Sequence, residues 1–259
     1  MTGKAYLVGA GPGRADLITV RGLTVLRQAD AVLYDRLIPP ELLDEAPTHA
    51  ERIFVGKRPG RHALRQEAIN ELLVRLVRDG LQVVRLKGGD PCVFGHVSEE
   101  AAALAAAGLS YEIVPGISSA IGVPAYAGIP LTRRGAAAAF AVVTAHEASE
   151  AASSIDWCVL AAMPTLVVLM ALTRLDAVCA RLISAGRDPQ TPATLISRGT
   201  TAQQRVLRAT LSTLPDAQLH AELPPPAVLV VGEVAALTDT LAWFDPTSVP
   251  EHHMLWEDE

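Results

Sequence analysis

Short apolar runs alternate along this chain with longer segments whose apolar residues recur every three or four positions. Ala5–Val8 (AYLV), Ala31–Tyr34 (AVLY), Arg52–Val55 (RIFV), Gln82–Leu86 (QVVRL) and Tyr111–Val114 (YEIV) read as strands. Between them, Thr19–Gln28, Arg65–Arg78 and Ser98–Ala107 read as helices, the last stopped by Gly108. In the second of these, Ala68, Ile69, Leu72, Leu73, Leu76 and Val77 form a stripe at helical spacing. The alternation predicts an α/β layer with a largely parallel sheet over about the first 115 residues.

Pro115-Gly116-Ile117-Ser118-Ser119 breaks the rhythm, and a short helix and a Gly/Pro-rich stretch, VPAYAGIPLT over 123–132, follow. A second set of elements follows. Phe140–Thr144, Leu166–Met170, Thr194–Ser197, Gln204–Thr210 and Ala227–Val231 read as strands, and Leu175–Ser184 and Val234–Trp243 as helices. The expected organisation is an N-terminal α/β domain over 1–115, a connection over 116–132 and a C-terminal α/β domain over 133–244. The polar, acidic segment 245–259 is expected to be a disordered tail.

Charge narrows the function classes. The 259 residues carry 22 Lys and Arg against 28 Asp and Glu, a formal net charge of -6. That argues against nucleic acid as a partner, because wholesale phosphate binding draws on a basic surplus. The N-terminus, MTGKAYLVGAG, reads as a first strand and not as a signal peptide. The richest apolar stretch, GAAAAFAVVT over 135–144, is too short to span a bilayer. A cytoplasmic protein with no membrane partner is expected. The three cysteines, Cys92, Cys158 and Cys179, are odd in number and lack metal-ligand spacing, so they read as buried or incidental thiols. No metal site is expected, and His252-His253 belongs to the acidic tail.

Candidate chemistry gathers where glycines follow strands: 9–13, 56–60 and 88–89. Parallel sheets bind ligands beyond the carboxyl ends of their strands. Gly9-Ala10-Gly11-Pro12-Gly13 begins like a dinucleotide fingerprint, but Arg14 stands where the third glycine belongs and Pro12 removes a backbone donor. NAD binding is therefore discounted, and a tight turn using positive φ remains open. In Lys87-Gly88-Gly89-Asp90-Pro91 the glycines would let a ligand lie on the backbone. Asp90 would accept hydrogen bonds from an amine or hydroxyls, or cap a turn. Lys57, Arg58, Arg61 and Arg65 concentrate cations on a shaped loop, and Arg133-Arg134 forms a second pair. Such clusters suit a polycarboxylate or phosphate, or are solvated charge. Ser118-Ser119 offers hydroxyls without the setting of a hydrolase nucleophile, and His146-Glu147 is either an acid/base pair or structural.

In order along the chain, VGAGP (8–12), VLYDR (32–36), VGKRPG (55–60), VRLKGGDP (84–91), VPGISS (114–119), AYAGIPLT (125–132), RGTT (198–201) and VVGEV (230–234) resemble the tetrapyrrole methyltransferases. The resemblance covers about residues 4–243. Each motif is modest alone; the ordered set is specific. It implies two α/β domains of the tetrapyrrole methylase type with the active site in the cleft between them, usually in a homodimer. It implies S-adenosyl-L-methionine bound by Pro12, Gly88, Gly89, Asp90, Val93, Ser118, Ser119, Met170 and Ala227. It further implies two methyl transfers to uroporphyrinogen III, giving precorrin-2 and S-adenosyl-L-homocysteine, in sirohaem or cobalamin synthesis. Asp35, Glu99, Arg134 and Met170 match positions around the tetrapyrrole or the transferred methyl. The catalytic candidates are Glu99, His96 and Asp35, and the candidates for the substrate carboxylates are Arg58, Arg61, Arg133 and Arg134.

The chain departs from the family pattern at several places. Phe94-Gly95-His96-Val97-Ser98-Glu99-Glu100 replaces the usual F-G-R-G-G-E-E, so an arginine has become His96 and two glycines Val97 and Ser98. A neutral imidazole lacks the permanent charge and forked donors of a guanidinium. Cys92 replaces an aromatic, Val143-Thr144-Ala145-His146 the usual V-T-G-H, and Leu169-Met170-Ala171 the usual Y-M-G. These changes leave two alternatives, a methyltransferase for another tetrapyrrole and a ligand-binding homologue without catalysis. The expected domains use the whole chain, leaving no length for a fused dehydrogenase-chelatase domain.

Overall fold

The structure, a computed structural model, describes residues 3–56, 65–145 and 155–249. They divide into two compact units, one ending at Ser118 and the other beginning at Ser119.

The first unit holds five strands, β1 (Lys4–Gly9), β2 (Ala31–Tyr34), β3 (Glu51–Phe54), β4 (Gln82–Lys87) and β5 (Ser110–Val114). Its helices are α1 (Val20–Leu26), α2 (Pro40–Asp44), α3 (Gln66–Arg78) and α4 (Val97–Ala106). The strands pair in the order β3-β2-β4-β1-β5, and every pairing is parallel. Side chains alternate between the two faces of a strand, and each face has its own cover. Val8, Val32, Val84 and Leu86 meet Val25 and Leu26 of α1 and Leu42 and Leu43 of α2. Ala5, Leu7, Leu33 and Val83 meet Ile69, Leu73 and Val77 of α3 and Leu104 of α4. A strand covered on both sides reads as a continuous apolar run, which is why β1, β2 and β4 were legible.

This topology sets the position of the site. β1 leaves toward α1 on one face, while its neighbour β4 leaves toward α4 on the other. The two chains diverge between adjacent parallel strands, which is the switch point where open α/β sheets take ligands.

The second unit holds α5 (Ser119–Tyr126), β6 (Phe140–Thr144), α6 (Trp157–Ala161), β7 (Thr165–Leu169), α7 (Leu175–Ser184), β8 (Pro192–Ser197), β9 (Arg205–Thr210), α8 (Leu214–Ala221), β10 (Ala227–Val231) and α9 (Thr238–Leu241). Its sheet runs β6-β7-β10-β8-β9 and is mixed: β6 and β7 are parallel, and the other pairings are antiparallel. Leu166, Val168, Leu195 and Leu229 pack against Trp157, Leu175, Val178, Leu182 and Leu214 from α6, α7 and α8. Arg187 donates to the carbonyls of Ala161 (3.0 Å), Met163 and Pro164 (3.5 Å), satisfying acceptors that a helix end leaves free.

Most expected elements lie within two residues of the observed ones. The single helix expected over Val234–Trp243 is instead a 3-10 segment, Glu233–Leu237, followed by the short α9. The hydroxyl of Thr238, at that junction, donates to the Ala127 carbonyl, so a tertiary contact holds the segment there. The short helices α2, α6 and α8 were not expected. A helix of five to eight residues shows little periodicity to read. Of the expected disordered tail, residues 245–249 contain a 3-10 turn, Pro246–Ser248, capped by Asp245, and the remainder lies outside the described residues. Among the described residues no helix is long and apolar enough to cross a membrane.

Candidate functional site

All five strands of the first sheet end at one edge, and half of the candidate residues sit on the loops that leave it. Pro12 follows β1, and Asp35 follows β2. Gly88, Gly89, Asp90, Val93 and His96 follow β4, and Ser118 follows β5. Glu99 lies in the first turn of α4.

The glycines here serve backbone packing on backbone. Gly11 N donates to Gly89 O at 3.2 Å, and Gly89 N donates to Gly11 O at 2.7 Å, joining the loops after β1 and β4. A Cβ on Gly116 would lie 2.4 Å from Gly89 O and 2.7 Å from Gly9 Cα, and one on Gly9 would lie 2.6 Å from Gly89 O. Three loops therefore touch at a point where no side chain fits. Asp90 completes the junction. Its Oδ1 accepts from Cys92 N at 2.8 Å and its Oδ2 from Gly116 N at 3.0 Å. The carboxylate thus caps its own turn and ties the β4 loop to the β5 loop, the second of the two roles its sequence context allowed.

Around this junction the edge exposes large apolar side chains. Leu37 follows β2, Phe94 follows β4, and Ile117 follows β5; each is more than a third exposed. Phe94 and His96 both take left-handed backbone conformations, with φ of 54° and 56°. Strained non-glycine backbone of this kind concentrates at functional sites. His96 precedes α4, and its Nδ1 lies 2.9 Å from Glu99 Oε1, with both side chains exposed.

Beneath the edge lies a charged cluster that the sequence reading missed. Arg85 and Lys87 project from one face of β4 into the layer between the sheet and α4, and both are buried. Glu100 of α4 is fully buried between them. Its Oε1 accepts from Lys87 Nζ at 2.8 Å, Arg85 Nε at 3.0 Å and Gln66 Nε2 at 3.5 Å, while its Oε2 has no hydrogen-bond partner among the described residues. Arg85 Nη1 donates to the carbonyls of Leu86 (3.0 Å) and Leu33 (3.5 Å), and Nη2 reaches Asp35 Oδ2 at 3.6 Å. Burial, then repulsion from Arg85, pushes the Lys87 ammonium below the ordinary lysine range, with Glu100 opposing. The signal was present in VRLK: cations two positions apart in an apolar strand must share a face.

In the second unit, Met170 and Ala227 are neighbours across β7 and β10, whose register pairs Leu169 with Val228. Met170 is exposed with φ 55°, while Ala227 is buried. Arg198 and Thr200, after β8, are also left-handed, and Arg198 N donates to Pro226 O at 2.8 Å. Ser119 opens α5. Arg133 and Arg134 are exposed on a tight turn closed by Ala137 N donating to Arg133 O at 2.8 Å. Arg58, Arg61 and His146 lie outside the described residues. Cys92 and Cys158 are exposed, and Cys179 is buried.

Comparison with known proteins bears on the fold and the family. Residues 4–215 match the family model of the Tetrapyrrole (Corrin/Porphyrin) Methylases. The siroheme synthase of Pseudomonas paraeruginosa is 50% identical over 245 residues, covering 94% of this chain and 52% of that protein. The siroheme synthase of Tolumonas auensis is 50% identical over 253 residues, 96% of this chain and 53% of that protein. The chain thus spans about half the length of the curated relatives it matches. Among solved structures, the uroporphyrin-III C-methyl transferase of Thermus thermophilus complexed with S-adenyl homocysteine aligns with TM-score 0.78 and 39% identity, over 90% of this chain and 99% of that one. A cobalt precorrin-4 methyltransferase aligns with TM-score 0.80 and 29% identity, over 90% and 95% of the two chains. With the family model matching most of its length, the chain belongs to the tetrapyrrole methylases.

Proposed function

We propose that this chain transfers two methyl groups from S-adenosyl-L-methionine to uroporphyrinogen III, giving precorrin-2 and S-adenosyl-L-homocysteine in sirohaem or cobalamin synthesis. The observation that carries this reading is the likeness, at 39% identity over nearly all of its length, to the Thermus uroporphyrin-III C-methyl transferase with S-adenyl homocysteine. The carboxyl edge of the first sheet fits such ligands. Its exposed Leu37, Phe94 and Ile117 suit a flat, partly apolar ring system or an adenosyl group, and the glycine junction gives them a rigid floor.

Bound S-adenosylmethionine supplies a methyl already activated on a sulfonium. The protein's task is then alignment, which is worth many orders of magnitude when reacting atoms are held at near-attack distance. The cofactor candidates are Pro12, Gly88, Gly89, Asp90, Val93 and Ser118 on the first unit, and Ser119, Met170 and Ala227 on the second. Asp90 acts through the backbone, since both its oxygens are engaged by amide N–H groups. Asp35 and Glu99 present carboxylates at the same edge, able to take up the proton that a methylated pyrrole frame sheds. His96 orients Glu99 through their 2.9 Å contact. Arg133 and Arg134, with Arg58 and Arg61, answer the substrate's many carboxylates. The working protein is a cytoplasmic homodimer.

Anaerobic incubation with uroporphyrinogen III and S-adenosylmethionine, followed by product mass, tests this directly. Two added methyls are expected. No methylation, with cofactor binding intact by calorimetry, would overturn it. His96-Val97-Ser98 and the 29% identity to a cobalt precorrin-4 methyltransferase favour a second reading, in which another tetrapyrrole is the acceptor. Methylation of a precorrin but not of uroporphyrinogen III would establish that one.

A further inference from the structure

The buried cluster beneath the edge has an asymmetry that plain helix-to-sheet stapling does not require. Two cations, Arg85 and Lys87, converge on one oxygen of one buried carboxylate, Glu100. A single salt bridge would join α4 to β4. Arg85 does more, because its three nitrogens face three directions: Nε to Glu100, Nη1 to the carbonyls of Leu33 and Leu86, and Nη2 to Asp35. The planar fork is thereby locked on two sides by groups that cannot move, leaving Nη2 aimed at the loop after β2. At 3.6 Å the Asp35 contact is an ion pair without a tight hydrogen bond, and the Asp35 side chain is 30% exposed against 6% for Arg85. The buried end is fixed and the exposed end faces the edge where the candidate residues gather.

We infer that Arg85 is a positioning residue for the Asp35 carboxylate, and that Glu100 and Lys87 hold Arg85 in the orientation that does it. This rests on the reading above that Asp35 works at the reacting edge. In the chain of contacts, α4 sets Glu100, Glu100 sets the guanidinium, and the guanidinium holds the Asp35 carboxylate where substrate arrives. Lysine at position 85 would keep the charge but lose the fork. One ammonium cannot stay on Glu100, cap two carbonyls and reach Asp35 together.

The test is a double-mutant cycle between Arg85→Lys and Asp35→Asn, with folding checked by circular dichroism. For Arg85→Lys a fall in kcat of about 10- to 100-fold is expected, the scale of a misplaced reacting group, with the KM for S-adenosylmethionine unchanged within about 2-fold. In the Asp35→Asn background the same change should cost less than about 2-fold, because the group it positions is gone. Multiplying effects would show that Arg85 is merely structural and overturn the inference. Should Arg85→Lys fail to fold, Glu100→Gln carries the same cycle with the shape retained. Full activity in Asp35→Asn would sink the assignment of Asp35, and the inference with it. Absence of turnover in the unmodified protein would sink only the proposed reaction. The crystal structure of Arg85→Lys then decides the positioning: a displaced Asp35 carboxylate supports it, and an unmoved one overturns it.

Discussion

Replacing Gly116 by alanine tests whether the edge is built by backbone packing. The added Cβ would lie 2.4 Å from Gly89 O and 2.7 Å from Gly9 Cα, against ordinary contact distances of 3.4 Å and above. The obstacles are main chain, with no flexible side-chain end to swing aside. The loop after β5 must therefore move out by about 1 Å, far enough to break the 3.0 Å bond from Gly116 N to Asp90 Oδ2. Losing that charge-assisted bond costs about 1.5–3 kcal/mol, and forced overpacking adds about 1–3 kcal/mol, for a total of roughly 2.5–6 kcal/mol. At about 2–4 °C per kcal/mol for a domain of this size class, the melting transition of the first unit should fall by roughly 5–25 °C. Gly135→Ala is the control. Its Cβ would meet nothing within 4 Å, and only its φ of +81° opposes substitution, so a loss of about 1 kcal/mol is expected. Differential scanning calorimetry reads both variants, and titration calorimetry with S-adenosylhomocysteine reads the edge, where Gly116→Ala should weaken binding at least tenfold. A Gly116→Ala protein that melts with the unmodified chain and binds with the same affinity would refute the packing argument.

Two further outcomes follow from charge and burial. Hydrogen bonds from Arg21 (2.8 Å) and Lys4 (2.7 Å) hold the Glu112 carboxyl down at about 2, below its ordinary 4.5. Because the folded value is the lower one, this stabilisation is complete above pH 4.5 and is lost as pH falls from there toward 2. Urea midpoints measured between pH 6 and pH 3 should therefore fall less steeply for Glu112→Gln than for the unmodified protein, and equal slopes would contradict the pairing. Burial pushes the Cys179 thiol up to about 12, whereas Cys92 and Cys158 are exposed. A thiol reagent at pH 8 should titrate two groups in the native protein and a third only in denaturant; rapid reaction of all three would show that α7 does not shield Cys179.

The strands and the long helix were legible along the chain, because those are local patterns. Ala31–Tyr34 and Ala227–Val231 were read with the bounds they have, since a largely buried strand has no polar positions to blur its ends, and so was the edge strand Phe140–Thr144, a short apolar run although none of its residues is buried. The sequence also placed the glycine clusters at strand ends, and through the ordered motifs from VGAGP to VVGEV it pointed to the family that the match over residues 4–215 establishes. What those residues do to one another depends on the folded chain. KGGDP announces a close approach but not its partner, and that partner is the backbone of Gly9, Gly11 and Gly116, brought together by the adjacency of β4, β1 and β5. Asp90 followed by Pro91 announces a turn cap, but the arrival of the β5 loop is what brings a second amide, Gly116 N, to its carboxylate. Arg85 and Lys87 declared a shared face through their spacing, yet the buried Glu100 that gathers them comes from a helix packed on that face. Likewise the antiparallel place of β10 between β7 and β8 follows from no local pattern. The reason is common to all of these. Periodicity and turn chemistry are fixed by covalent neighbours, whereas strand order, backbone contact and charge pairing depend on which distant segments the core must bury together.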